Sequence, residues 1–358
     1  MILTRLKIGQ FRNIEQALLS PCASFNLLTG HNGAGKSAVL EAIHCLSCGH
    51  SFRTRKIKEL ISHNQDNFIL TSQMTDHTGE KSHRAGLLRN RDGTTSLRLD
   101  YEPLTSMTSI TQMMPVKALT PDSHGLIQDG PRGRRQFMDW GTFHVEPSFF
   151  GAWKHFRRAL AQRNQALKDN ANDSEIDSWD EQLIDAGSEL TEMRKRYIGE
   201  LGKQLQTQLQ EMETAFHVEH RFKQGWTEDM SLEDALARSR SNCRRFRTTT
   251  VGPHRADLQI DVAGHAAREV LSRGQQKTLI YALHMAQLSL LHSLTENRAI
   301  VLCDDLTAEL DKQQIVNILT QLQKQGSQVF LTATEPFELP SAEIVHFSVT
   351  GGDVQKSV

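Results

Sequence analysis

An α/β fold, divided in the chain by a helical insert, is predicted by three observations. GHNGAGKS at residues 30–37 follows a short apolar run, FNLLT (Phe25–Thr29), and opens a helix-like stretch, SAVLEAIHCLS at 37–47. AIVLCDD at 299–305 reads as a strand apolar on both faces, with two carboxylates at its carboxyl end. Between these ends the β patterning stops near residue 130 and resumes only after about residue 246. The intervening stretch carries apolar residues at helical spacing.

The first segment alternates short strands with one helix. Apolar runs at residues 3–8, Phe25–Thr29, 68–74, 84–88, 96–99 and 116–120 predict the strands. In the loop Gly30, His31, Asn32, Gly33, Ala34, Gly35, Lys36 and Ser37, the glycines allow a tight turn whose backbone N–H groups face inward. Lys36 reaches outer phosphates, and the Ser37 hydroxyl can face Mg²⁺. The helix that follows sets its positive end beneath them. The loop therefore predicts a bound nucleotide.

The insert predicts a helical hairpin. Phe149, Trp153, Phe156, Leu160 and Leu167 form one apolar stripe. The polar loop DNANDS at 169–174 turns the chain. A longer stripe then runs through Ile176, Trp179, Leu183, Leu190, Tyr197, Leu201, Leu205, Leu209, Met212 and Phe216. Two such helices on a short loop press their apolar faces together. The expected organisation is an N-terminal part of the head over residues 1–145, a helical lobe over 146–246 and a C-terminal part over 247–358.

Strands are expected again at residues 256–262, 299–303, 328–332 and 343–347. Asp304, at the end of the second of these, would hold Mg²⁺ opposite Ser37. Asp305 points elsewhere and would orient or deprotonate the attacking water. Either aspartate could instead cap the next helix. LSRGQQK at 271–277 precedes apolar residues at helical spacing, so Ser272, Arg273, Gly274 and Gln275 mark a second anion-binding helix end. One chain does not need two such ends for one nucleotide. Two copies facing head to tail do, each closing over the nucleotide of the other.

Composition bounds this reading without producing it. The 358 residues suit about two domains, and 38% hydrophobic content allows a sizeable core. The net charge of −1 means that any nucleic-acid surface must be local. Five cysteines, among them Cys45 and Cys48 on one helix, imply neither disulfides nor a metal site without a second pair. No signal segment or long uncharged apolar run is evident, so a cytoplasmic protein without a membrane partner is expected.

Together these motifs resemble the ABC-type ATPases, and within them the SMC-like branch; the P-loop NTPase head would be split in sequence around the hairpin. The resemblance to the RecF family spans nearly the whole chain. It is carried by LKIGQFRNIE (6–15), SFRT (51–54), PDSHGLIQDGPRGRRQFMD (121–139) and GPHRADLQI (252–260), besides GHNGAGKS, LSRGQQK and CDDLTAELD. It implies Arg12 and Asn13 beside the nucleotide and a D-loop aspartate at Asp311; His254 and Arg255, which precede a strand, either approach the nucleotide or a partner chain or are structural. It also implies an ATP-dependent homodimer clamping double-stranded DNA near gaps, with RecR, and alongside RecO, in loading RecA. Two departures bear on rate. Pro121-Asp122 follows the strand where a γ-phosphate-sensing glutamine usually stands, with Gln112 and Gln128 as weak substitutes. Thr334 occupies the switch position where transporters place histidine. Slow hydrolysis is therefore expected. Other SMC-like heads, or a transport subunit, are the alternatives, and the 236 residues from Lys36 to Ser272 disfavour the latter.

Basic residues gather in two places. Arg132, Arg134 and Arg135 lead into Lys154, Arg157, Arg158 and Arg163; Arg238, Arg240, Arg244, Arg245 and Arg247 close the insert. Either both clusters grip phosphates without reading bases, since no helix-turn-helix or zinc-finger spacing appears, or they are solvated helix faces with i,i+4 ion pairs.

Overall fold

Strands apolar on successive residues need cover on both faces, and FNLLT, IVLC and QVFLTA become neighbours in one sheet. The computed structural model describes residues 1–295, 297–306, 312–337 and 343–357. Asp311 lies outside them. The described chain forms two compact units, residues 1–123 with 296–358 and residues 124–295.

In the first unit, β3 (Phe25–Thr29), β8 (Val116–Leu119), β12 (Ile300–Cys303), β13 (Gln328–Ala333) and β14 (Ile344–Thr350) run parallel in the order β14-β3-β13-β12-β8. β15 (Asp353–Lys356) adds antiparallel to β14 at the edge. The two ends of the chain thus share one sheet, as the split motifs require. A second sheet is antiparallel, ordered β2-β1-β4-β5-β6-β7. It comprises β1 (Ile2–Phe11), β2 (Ile14–Leu19), β4 (Asn67–Thr75), β5 (Ser82–Asn90), β6 (Thr95–Leu99) and β7 (Glu102–Leu104). Helix α1 (Lys36–Cys48) lies in the core between them, where Val39, Leu40 and Ile43 meet Leu6, Phe68, Leu302 and Phe330. Gln328 ties the sheets covalently distant in sequence: its amide exchanges hydrogen bonds with Leu3 N and O, both 2.8 Å, and donates to Cys22 O at 2.7 Å. A short helix, α2 (Thr108–Met113), precedes β8.

A lysine is among the buried polar side chains of this unit. Lys117 on β8 is buried, and burial pushes its ammonium down to about 7 from 10.5, opposed in part by Cys48. Because the folded value is the lower one, the unfolded chain binds the extra proton between these pH values. Stability therefore rises from about pH 7 towards 10.5 and is flat below. The slope from this one group is about 1.4 kcal/mol per pH unit. Lys117→Met is expected to flatten that segment of a urea-unfolding profile and to stabilise the chain at neutral pH.

The second unit contains α3 (Gly125–Gln128), α4 (Pro131–Val145), α5 (Phe149–Lys168), α6 (Asp173–Glu211), α7 (Leu232–Phe246), α8 (Ala267–Val270) and α9 (Arg273–Thr295). The predicted hairpin is α5 and α6. Asn172 caps α6 by accepting from Glu175 N at 2.9 Å. The first half of α6 (Leu183, Leu190) packs with Phe156 and Leu160 of α5. Its second half (Tyr197, Leu201, Leu205) packs instead with Leu279 and Leu283 of α9. At that crossing Gly141 of α4 leaves room for the Tyr197 ring, because a Cβ there would lie 1.9 Å from the hydroxyl oxygen.

The compact units change at 123/124 and 295/296, beside the expected segment ends at 145/146 and 246/247, and the helix after LSRGQQK lies in the second unit. That helix buries its apolar residues against α6 and α4. The insert is not wholly helical: β9 (Glu219–Lys223) pairs with β10 (Asp257–Val262), which also pairs with β11 (His265–Ala266). Its sequence, EHRFK, is half-exposed and polar, so no apolar run betrays it. Met212 and Phe216 lie beyond the end of α6, and β2, β7 and β15 were outside the predicted set. In the first unit, β12, Asp304 and Asp305 follow the expected order, and α10 (Lys312–Lys324) precedes β13.

Candidate nucleotide site

β3, β13 and β12 are parallel, so their carboxyl ends open on one edge of the sheet. β3 delivers the glycine loop, β12 delivers Asp304 and Asp305, and β13 lies between them. A cleft of about 500 Å³ results, lined by Arg12, Asn13, Lys36, Ser37, Asp304 and Thr332 among others.

The loop wraps the amino end of α1. Gly35, at φ 117°, is the cap residue, and no side chain caps the helix there. By contrast α6, α7 and α9 all have a side-chain acceptor at their first turn. The first N–H groups of α1 are thereby left for an anion. Gly30 is required for a second reason: a Cβ would lie 2.2 Å from the Val349 carbonyl oxygen. Lys36 Nζ donates to the loop carbonyls of Gly30 (2.5 Å) and His31 (3.0 Å), and it forms no ion pair among the described residues. His31 and Asn32 are exposed at the loop crest, while Ala34 is buried beneath it.

Ser37 Oγ donates to Asp304 Oδ1 at 2.7 Å, joining two residues far apart in sequence. Thr332 Oγ1 donates to the same oxygen at 2.9 Å and accepts from Asp305 N at 2.8 Å. Asp304 is buried and Asp305 is exposed at the cleft, with a left-handed backbone at φ 54°. The adjacent carboxylates therefore do face different surroundings. Thr332 was not anticipated; Thr334, the expected switch position, is exposed just past β13. Position on β13 explains this, because the strand runs directly between the two halves of the site. Thr332→Val keeps the shape but removes one donor from Asp304 and the partner of Asp305 N. A lost hydrogen bond to a charged group costs about 1.5–3 kcal/mol, so phosphate release is expected to slow roughly ten- to hundredfold.

Arg12 and Asn13 both line the cleft. Asn13 Nδ2 donates to Ala34 O (3.1 Å) and Gly33 O (3.3 Å), bracing the loop from the β1–β2 turn. Arg12 donates to Glu59 O (2.9 Å) and forms an ion pair with Glu41 at 2.6 Å. Glu41 is buried within α1, accepts from Ser51 Oγ at 2.5 Å and lies 3.8 Å from Arg53. This carboxylate organises Arg12 and the SFRT segment around the cleft. Its signal was a lone acidic residue inside the apolar SAVLEAIHCLS. Gln112 is exposed on α2; Gln128, in the other unit, donates to Gln276 at 2.9 Å.

In the helical unit, Ser272 and Gln275 form a reciprocal capping box: Ser272 N donates to Gln275 Oε1 (2.9 Å), and Gln275 N to Ser272 Oγ (3.3 Å). Ser272, Arg273, Gly274 and Gln275 are all exposed, with open space around Gly274. The basic clusters divide sharply. Arg134 makes a two-pronged ion pair with Asp257, and Arg135 donates to Ala256 O. Arg240 pairs with Asp177 and Asp180, and Arg244 with Asp173. Arg163 is fully buried against Asp180. Arg132, Arg238, Arg245 and Arg247 remain exposed without an ion pair among the described residues. His254, packed on Phe156, is pushed down to about 4 by burial, and Arg255 follows it in the same turn.

The family described as RecF/RecN/SMC N terminal domain matches residues 2–349. A DNA replication and repair protein RecF from Shewanella baltica (strain OS223) is 38% identical over 336 residues, which is 94% of this chain and 93% of the relative. The chain belongs to the RecF family. Another RecF, from Shewanella halifaxensis (strain HAW-EB4), is 39% identical over 336 residues, 94% of this chain and 92% of its own. A solved structure of the recombination mediator protein RecF-ATPrS in the RecFOR pathway superposes with a TM-score of 0.89 at 26% identity, covering 99% of this chain and 98% of that one. The Smc head domain of Pyrococcus furiosus shares the fold, with a TM-score of 0.60 at 16% identity, over 99% and 96% of the two chains. The α/β SMC-like ATPase-head fold of this RecF-family chain is thus shown by both sequence and structure. Its cleft fits a nucleoside triphosphate with Mg²⁺: an uncapped helix end and a lysine for phosphates, and a hydroxyl–carboxylate pair for the metal.

Proposed function

We propose that this chain is an ATP-dependent DNA-binding mediator of recombinational repair, working as a nucleotide-closed dimer with slow turnover. The observation that carries the reading is the Ser37–Asp304–Thr332 chain at the foot of an uncapped phosphate-binding helix. Its RecF relatives, described as DNA replication and repair proteins, support the pathway. ATP in the solved RecF structures supports the nucleotide.

The loop N–H groups and Lys36 would hold the β- and γ-phosphates, while Ser37 and Asp304 would hold Mg²⁺ opposite them. Bound Mg²⁺ supplies charge neutralisation on the transferring phosphoryl group. Thr332 keeps the Asp304 carboxylate aimed at Ser37 and fixes the backbone of Asp305. The exposed Asp305 carboxylate then orients the attacking water and accepts its proton. Ser272, Arg273, Gly274 and Gln275 of a second copy would complete the site in trans. Gln275 and Ser272 can each release a capping hydrogen bond to a phosphate oxygen. Closure brings Arg132, Arg238, Arg245 and Arg247 to a duplex near a single-strand gap, where they contact phosphates only. RecR, RecO and RecA are the expected partners in the pathway.

Sedimentation with labelled duplex DNA in ATP and in ADP tests this directly. A two-chain species carrying DNA in ATP alone is expected, and a monomer under every condition would overturn the closing step. Asp305→Asn is expected to retain ATP-driven dimers while losing most turnover. Unchanged turnover in that variant would remove Asp305 from its role.

A further inference from the structure

We propose that the outer face of the antiparallel sheet is a docking surface for an extended acidic–apolar segment of a partner protein. This face belongs to the first unit and lies apart from the nucleotide cleft in its lining residues. It holds a trough of about 610 Å³ whose lining includes Arg5, Lys7, Arg84 and Arg98 and no carboxylate. In a chain with 42 acidic and 41 basic residues, four cations without one acid is a built asymmetry. Arg5, Lys7 and Arg98 are exposed and form no ion pair among the described residues.

Register sets the spacing. Lys7, Thr71, Gly86 and Arg98 stand side by side on β1, β4, β5 and β6. At about 4.8 Å per strand, the two cations flank the trough about 14 Å apart. Arg5, Gln73 and Arg84 form the next row, two residues along, or about 6.8 Å. That separation equals the spacing of same-face side chains in an extended peptide. Carboxylates at alternate positions of such a segment would meet the two rows in turn.

The floor is open because of Gly86. Its backbone does not need glycine: a Cβ there would meet only Thr71 Cγ2, at an ordinary 3.8 Å. Glycine inside a strand weakens it, and close approach of another chain is a usual reason for its presence. The walls are apolar as well as basic. Leu18 of β2 is 53% exposed and Tyr101 of the β6–β7 turn 67%, and both line the trough. Tyr101 and Asp100 form the β6–β7 turn with φ of 72° and 50°, a conformation costly for a bulky residue, so the fold holds an aromatic ring at the rim where glycine or asparagine would serve. Aromatic, aliphatic and arginine side chains together mark a protein interface. A stacked nucleobase is disfavoured, because the Arg84 guanidinium already lies over the Tyr101 ring, 5.5 Å from its centroid.

Fluorescence anisotropy on the full chain tests the proposal, with a labelled ten-residue peptide alternating Asp and Leu. Peptides alternating Asp and Ser, and a twenty-nucleotide oligo-dT, serve as competitors. Binding of the Asp–Leu peptide is expected, weakened at least tenfold by Lys7→Glu with Arg98→Glu. Gly86→Val is expected to weaken it as much by filling the trough, with no loss of melting temperature. Both variants should keep the ATP-induced rise in melting temperature, which separates this face from the nucleotide reading. Three results would overturn the proposal: no binding of the Asp–Leu peptide, equal binding by the variants, or displacement by the Asp–Ser peptide or oligo-dT at the same concentration.

Discussion

Lys36→Ala is expected to cut ATP turnover roughly 10²–10³-fold, the cost of removing one preorganised donor to developing charge. Lys36 Nζ rests on two loop carbonyls, Gly30 and His31, so its charge is positioned before any phosphate arrives. It makes no ion pair among the described residues that a phosphate would have to displace. Truncation leaves those carbonyls facing the open cleft, where water replaces the ammonium. The apo melting temperature should therefore change little. The ATP-induced rise should disappear; a ligand at 100 times its Kd stabilises by about 2.7 kcal/mol, and a hundredfold loss of affinity removes most of that. Turnover and thermal shift measured on the same preparation check both halves. Wild-type turnover in the variant would place the phosphates elsewhere.

Asp180→Ala is expected to destabilise the helical unit by about 3–5 kcal/mol, the cost of stranding a buried charge. Arg163 has no exposed surface, and among the described residues its one ion-pair partner is Asp180, with Thr249 Oγ1 accepting at 2.9 Å. Arg240 reaches the other Asp180 oxygen at 2.8 Å, so a single carboxylate joins α5, α6 and α7. Removing it leaves one guanidinium buried without an anion and frees a second one. For a unit of this size the melting temperature should fall by on the order of 10 °C. Arg163→Met with Asp180→Leu should recover most of the loss, because no charge is then left in the core. A fall of only a degree or two for Asp180→Ala would show that the pair contributes little.

The basic clusters show where sequence reasoning stops. Arg240 and Arg244 look identical in sequence to Arg245 and Arg247, yet the first two are neutralised by Asp173, Asp177 and Asp180 on α6. Arg240 and Arg244, four residues apart on α7, share one helix face, but only the packing against α6 says that this face meets acid. Thr332 and Glu41 were missed for related reasons. A threonine near a strand end and a glutamate in an apolar helix carry no motif, and their roles arise from what lies across from them.

The sequence by itself determined the phosphate loop, the acidic strand end, the capped second helix end and the hairpin. Each is local: glycine conformation, strand-end position, N-cap chemistry and apolar periodicity act within a dozen residues. Tertiary structure alone decided that Ser37 meets Asp304, that Thr332 bridges to Asp305, and which arginines stay exposed. It also decided that the signature helix belongs to the helical unit, and that four cations of three separate strands line one trough. Those outcomes depend on strand order, register and helix packing, and each is set by burial summed over the whole core rather than by any neighbouring residue.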